Sequence, residues 1–244
     1  MSEDVVEGEW DIDYSPIQEI IEEARDQKRS MLLEDEARAL LDLADIPIAR
    51  GKVVHCIDEG VKVAEEIGYP VVLKIVSEDI LHKMDVGGVR TGIKNETEFV
   101  DAYESICTQV RNKKPNAKVR GMSVAEHIDG GDEVILGGMM DPSFGPVVMF
   151  GMGGIYVELL KDVVFRVAPI STQEACEMIR ETQSFSILIG ARGKERKDVK
   201  ALAEMISKLS ELMYFVNGIQ DIDLNPVAAL EEGAMALDVA VNIK

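Results

Sequence analysis

Residues 117 to 168 constrain the fold more than any other stretch. Four apolar runs, AKVRGMSVAEHI, DEVILGGMMD, GPVVMFGM and DVVFRVAP, follow one another there. Their β-branched and aromatic content and their Gly and Pro boundaries read as strands. Gly130-Gly131 reads as a hairpin-like turn between the first two. The sequence on either side has a different texture.

Upstream, helix and strand alternate. Ser15-Pro16 reads as an N-cap and first helical residue leading into IQEIIEEARDQ. Leu33, Ala37, Leu40, Leu41 and Ala44 keep helical spacing, and Ile46-Pro47 closes that helix. Gly51 to Ile57 reads as a strand. Asp58 reads as the cap of a helix through Ile67, stopped by Gly68 and Pro70. A β-branched strand carrying Lys74 follows. Asn95 with Glu98 has the capping-box pattern and opens a helix to about Val110. Downstream, Ser171 with Glu174 repeats that pattern before further helices ending near Val216. Ile219 to Leu224, Val227 to Leu230 and Ala234 to Val241 read as closing strands, the last two joined by a Glu231-Glu232-Gly233 turn. The basic stretch RNKKPNAK at 111–118 reads as a lobe boundary. The expectation is an α/β (α+β) chain: an acidic arm and first helix over 1–27, one lobe over 28–123 and a second over 124–244.

With 244 residues and 46% hydrophobic content, the chain has enough apolar surface for a core. Its 26 basic and 45 acidic residues give a net charge of −19. That surface disfavours nucleic acid and anionic membranes, and an anionic ligand must meet a local basic pocket. No apolar run reaches the length of a membrane helix, and the acidic N-terminus lacks a signal-peptide core. The reading is a soluble, cytoplasmic protein. Cys56, Cys107 and Cys176 are isolated, which argues against a disulfide framework or a zinc site.

Five clusters carry chemistry. Lys74, inside the run PVVLKIV, is either a strand-end lysine reaching solvent or a phosphate ligand; a buried ammonium needs a counter-charge. His82, in the loop SEDILHKMDVGG, is either an ordinary loop residue or a nucleophile toward phosphorus. A carboxylate would stabilise its charged phosphorylated ring. Gly87-Gly88 would free this loop to move. FGMGG, with Gly153 and Gly154, is either a turn or a close backbone approach to a ligand, and matches neither a Walker A loop nor a Rossmann fingerprint. In DIDLNP, Asn225 and Asp238 lie opposite each other if the turn at 230–233 holds four residues. Few oxygen ligands suit Mg²⁺, which keeps waters and bridges nucleotide phosphates. Finally, Glu126 and Glu133 flank the strand ends of VAEHIDGGDEV, where backbone can meet an adenine edge and a carboxylate can take ribose hydroxyls. Arg166 in VVFRVAP adds a cation for a γ-phosphate.

In this order the elements resemble ATP-grasp domains. ILHKMDVGGV, FGMGG with Glu158, FRVAP and DIDLNP resemble more narrowly the β subunit of ADP-forming acetyl-CoA synthetases, from about residue 28 to the end. The resemblance implies an ATP-grasp fold, two mixed α/β lobes with the nucleotide cleft between them. It implies the reaction acetyl-CoA + ADP + phosphate ⇌ acetate + CoA + ATP, with phosphate relayed through His82. Asp223 matches the residue that supports phosphorylated His82, and Asn225 and Asp238 match the Mg²⁺ ligands. Lys74, Glu126, Ile128 and Glu133 match contacts to ATP or ADP; Gly153, Gly154 and Arg166 fall at the phosphates. The implied partner is a CoA-binding α subunit in an α2β2 assembly. Two other readings stay open: an ATP-grasp ligase using an acyl-phosphate without phosphohistidine, and a non-catalytic nucleotide-sensing subunit.

Overall fold

The computed structural model describes residues 13–77, 79–80, 83–153, 162–183, 185–193 and 195–244. Residues 51 to 126 form one lobe. Its strands are β1 (Gly51–Val54), β2 (Val71–Val76), β3 (Val89–Ile93) and β4 (Gly121–Glu126), in the order β1-β4-β2-β3. Every pairing is antiparallel. Helices α3 (Ile57–Ile67) and α4 (Glu96–Lys113) accompany the sheet, and Leu73, Ile75, Phe99, Ile106 and Met122 belong to the shared core. The Asn95 cap of α4 forms, but not as a full capping box: Asn95 Oδ1 accepts from Glu98 N at 2.9 Å, while Glu98 Oε2 accepts from Lys94 N at 2.9 Å, one residue before the N-cap. Helix α3 starts earlier than expected. Cys56 is its N-cap, and Asp58 sits in the first turn, where a carboxylate still favours the helix dipole.

The second sheet contains β5 (Asp132–Asp141), β6 (Gly145–Met152), β7 (Val163–Val167), β8 (Ile219–Ala229), β9 (Ala234–Ala236) and β10 (Ala240–Ile243). Its order is β10-β8-β5-β6-β7, with β9 also on β8. Strand alternation gives the sheet two different faces. Ile222, Leu224, Leu136, Val148 and Phe150 are buried in a core shared with α5 (Thr172–Glu181) and α7 (Val199–Phe215); a short α6 (Phe185–Leu188) lies between those helices. At Gly138 an added Cβ would come within 2.5 Å of Met213 Cγ, so α7 rests directly on this face. The next register row, Asp223–Gly137–Met149–Phe165, lies on the open face.

Four local expectations are corrected by the sheet pairing. Gly130-Gly131 is not a hairpin turn: β4 pairs within the first sheet and β5 within the second, so these glycines, at φ +76° and +88°, carry the chain between lobes. The stretch 111–118 is no boundary, because it joins α4 to β4 inside one lobe. The expected division at 123/124 falls inside β4 for the same reason. The final strands are also grouped differently, since β8 runs unbroken through the cis Asn225–Pro226 bond to Ala229.

The division near residue 28 does not hold either. Helices α1 (Ser15–Asp26) and α2 (Glu34–Leu43) bury Ile17, Ile21, Leu40 and Leu41 in the core of the second lobe. The chain between and after them is strapped to the C-terminal strands, with Leu32 N donating to Val241 O at 3.0 Å and Ala49 N to Ala236 O at 2.9 Å. Helix α2 also reaches the first lobe: Glu34 accepts from the Ser123 hydroxyl, and Arg38 bonds Glu34 at 3.1 Å and Ala49 O at 2.6 Å. Among the described residues no helix is long and apolar enough to cross a membrane.

Candidate functional site

Lys74 sits mid-strand in β2, with Ser123 and Val89 as its register partners. It does not reach solvent: the residue is 8% exposed. Its Nζ crosses to the second lobe, donating to Leu237 O at 2.5 Å and standing 3.8 Å from Asp238 Oδ1. Burial pushes the ammonium below the usual lysine value; Asp238 and Glu34 pull it back up, and Lys83 and Arg38 press it down.

Asp238 lies between β9 and β10, both paired with β8. Val227 opposes Ala236 on one side and Asp223 opposes Ala240 on the other. Carried through, that register sets Asn225 opposite Asp238, the arrangement a four-residue turn requires. Asp238 also receives Lys83, whose Nζ is 2.8 Å from Oδ2. Burial alone would raise the Asp238 pKa. The Lys74 and Lys83 charges, the Lys83 hydrogen bond and the Val239 N–H hold it below the usual carboxylate range.

Asp223 stands two residues from Asn225 on the same face of β8. Its side chain meets solvent but is crowded; burial, then Asp238 and Asp221, push its pKa up. Asp221 accepts from Asn242 Nδ2 at 2.7 Å. Beside this acidic row lies a hollow of about 250 Å³, lined by Gly137, Met149, Phe165, Asp221 and Asp223 among others. Among the described residues no three carboxylate, thiol or imidazole groups converge as a closed metal cage. Asp238 and Asn225 nevertheless suit a hard cation that keeps water and shares phosphate oxygens. Asp238 already holds positive charge, in the form of two ammoniums.

The remaining residues sit at the crossing between lobes. Glu126 ends β4, and its carboxylate takes both guanidinium arms of Arg50, Nε at 3.0 Å and Nη2 at 3.1 Å. That hydrogen bond, more than burial opposes it, lowers the Glu126 pKa. Ile128 lies half-buried in the crossing segment, next to His127, whose N–H donates to Pro70 O at 3.3 Å. Glu133 is exposed at the start of β5, and its carbonyl accepts from Gly153 N at 2.8 Å. A Cβ on Gly153 would lie 2.9 Å from that oxygen, so the close approach requires glycine. His82 and Gly154 lie outside the described residues, as does the acidic arm over 1–12.

Arg166 is not brought to this site. Its register partner is Val148, a core residue, so it points to the helix side of the sheet. There its guanidinium pairs with Glu181 of α5 and donates to Phe165 O at 2.9 Å. The apolar neighbours Phe165 and Val167 take the open face instead, at 50% and 52% exposure. Sequence reasoning gave no role to Lys83, Arg50 or the Leu237 carbonyl. Lys83 was visible as a loop cation, but its partner lies 155 positions away.

Comparison with known proteins agrees with this fold. The ATP-grasp domain family matches residues 23–243. The β subunit of acetate–CoA ligase [ADP-forming] I from Pyrococcus furiosus is 49% identical over 220 residues, covering 90% of this chain and 94% of that subunit. The acetate–CoA ligase [ADP-forming] I of Archaeoglobus fulgidus is 43% identical over 203 residues, covering 83% of this chain but 30% of that longer protein. The chain thus spans nearly all of the Pyrococcus subunit and about a third of the Archaeoglobus relative. Among solved structures, the dinucleotide forming acetyl-coenzyme A synthetase 1 of Ca. Korarchaeum cryptofilum, with coenzyme A and Ca-AMPCP, matches at TM-score 0.90 and 39% identity, over 93% of this chain and 99% of the matched one. In another complex of that protein, with coenzyme A and Mg-AMPPCP, a phosphohistidine segment points towards the nucleotide binding site. The agreement covers both lobes and the crossing between them: the chain belongs to the ATP-grasp family, among the ADP-forming acetate–CoA ligases.

Proposed function

We propose that this chain is the nucleotide-binding β subunit of an ADP-forming acetate–CoA ligase, interconverting acetyl-CoA, ADP and phosphate with acetate, CoA and ATP. One observation carries the reading. Lys74 from one lobe and Asp238, opposite Asn225, from the other meet, and Asp238 also receives Lys83, the residue after His82 in the sequence. Lys74 would hold nucleotide phosphate. Glu126, Ile128 and Glu133 would contact the nucleoside at the crossing, with Gly153 and Gly154 near the phosphates. A magnesium ion held by Asn225 and Asp238 would neutralise phosphate charge.

His82 is the proposed phosphoryl carrier. A terminal oxygen of ADP attacks its phosphorus, the new P–O bond forms as the P–N bond breaks, and the ring nitrogen takes up one proton. Asp223, in the acidic row beside Asp238, is the proposed support for the charged ring. Catalysis here rests on positioning and charge neutralisation more than on covalent chemistry by the site. The partner is a CoA-binding α subunit, in an α2β2 enzyme; the name of the Pyrococcus furiosus relative as a β subunit supports a second polypeptide. This reading puts the protein in the cytoplasm, with its nucleotide and CoA substrates.

Acid-labile ³²P labelling tests the relay. With the α subunit, acetyl-CoA and labelled phosphate, label should appear on this chain and vanish in His82→Ala. Label persisting in that variant would remove His82 from the relay.

A further inference from the structure

Lys83 has no part in the reading above, yet it ties the segment after His82 to the opposite lobe. The flanks of that segment belong to the first lobe. Ile80 and Val86 are 4% and 5% exposed in its core. Asp79 accepts from Lys118 N at 2.7 Å, Gly88 N donates to Lys83 O at 2.8 Å, and Ile75 N donates to Gly88 O at 2.8 Å. Among the described residues of 79–88, Lys83 alone has a side-chain bond to the second lobe, the 2.8 Å pair with Asp238.

We propose that Lys83 is a positioning residue, a latch that holds the segment bearing His82 against the nucleotide lobe through Asp238. Lys83 directly follows His82 in the chain, so it is the first described residue after it. The two side chains are 23% and 20% exposed, so salt screens their pair less than a surface one. The latch can also open at modest cost. Breaking a buried pair is expensive when it strands a charge. Here Asp238 keeps Lys74 when Lys83 leaves, and Lys83 is close enough to water to be solvated. The purpose of the latch rests on the proposed role of His82, but its existence does not.

Diethylpyrocarbonate modification, read residue by residue by mass spectrometry on the nucleotide-free protein with its partner subunit, tests it. His55 and His127 serve as internal references. Lys83→Gln should speed modification of His82 about fivefold, the upper range for a pair of this exposure, and Lys83→Arg should restore the wild-type rate. The sign is diagnostic. Losing a neighbouring ammonium raises an imidazole pKa and by itself slows reaction of the neutral ring. In an Asp238→Asn background, Lys83→Gln should add nothing further. A His82 rate in Lys83→Gln within twofold of wild type, or additive effects in the double variant, would overturn the latch. Failure of ³²P labelling with a positive latch result would refute the relay alone.

Discussion

Gly88→Ala separates two accounts of the glycine pair after Lys83. The sequence suggests a hinge, with both glycines supplying freedom of movement. The structure packs them tightly instead. Gly88 bonds through its N–H to Lys83 O and through its carbonyl to Ile75 N. A Cβ there would stand 2.5 Å from Ile75 Cγ2, 2.9 Å from Lys83 O and 3.3 Å from Val86 Cγ2. Gly88 is not among the positive-φ glycines, so the cost of alanine is packing rather than backbone strain. Ile75 is 1% exposed and cannot step aside into water, and the carbonyl cannot move without loosening the turn. Overpacking of this kind costs about 1–3 kcal/mol. For a chain of this length a loss of 2 kcal/mol lowers Tm by about 4–8 °C. Thermal melts, with urea titrations to check that the slope is unchanged, measure it. A Tm within about 1 °C of wild type, with activity lost, would restore the hinge and refute the packing argument.

Two further outcomes check other parts of the structure. Glu211 is buried on α7 beside Tyr14 and Ser207; burial raises its pKa, against hydrogen bonds from both hydroxyls and the charge of Lys208. The folded state therefore holds that proton more tightly, and stability falls as pH rises from the unfolded value of 4.5 through the folded one. Glu211→Gln, which keeps an acceptor but stays neutral, should melt higher than wild type at pH 7 and lose that advantage at pH 4; the same gain at both would contradict the burial argument. Arg166→Ala should leave Mg-ADP affinity within about twofold by calorimetry and cost under about 1 kcal/mol of stability. A tenfold loss of affinity would return Arg166 to the phosphates.

What the sequence made legible was local or topologically forced. The capping box Ser171–Glu174 forms in full, and at Asn95 the side chain caps Glu98 N, because each closes within one helical turn. The Asn225–Asp238 pairing depended only on a turn length. The misreadings concern partners chosen by burial. Gly130-Gly131 looks like a hairpin from its own residues, but β4 and β5 each complete a different core. Helix α1 precedes the first lobe in sequence and packs on the second, because the apolar stripe of Ile17 and Ile21 is matched there. Arg166 reverses the usual alternation. A polar residue between apolar neighbours reads as outward-facing, yet Glu181 holds it on the helix side and leaves Phe165 exposed. Arg50 carried no signal at all, since its carboxylate partner is 76 positions distant.

The charges at the site explain how a chain of net charge −19 admits an anion. Two ammoniums, Lys74 and Lys83, stand with three carboxylates, Asp221, Asp223 and Asp238, at the mouth between the lobes. Left alone, the group is close to neutral with a slight acidic excess, and the raised pKa of Asp223 records that crowding. Each ammonium finds Asp238 or a carbonyl across the lobes. Neutrality makes the group a poor host for phosphate by itself. On the proposed function, Asn225 and Asp238 would hold a divalent ion, whose charge would reverse the sign of the local field. Lys83 would compete with it for the same carboxylate. Nucleotide capture and the hold on the His82 segment then draw on one residue. On that reading Asp238 would couple the two through its charge, since both ammoniums and the ion would share its carboxylate.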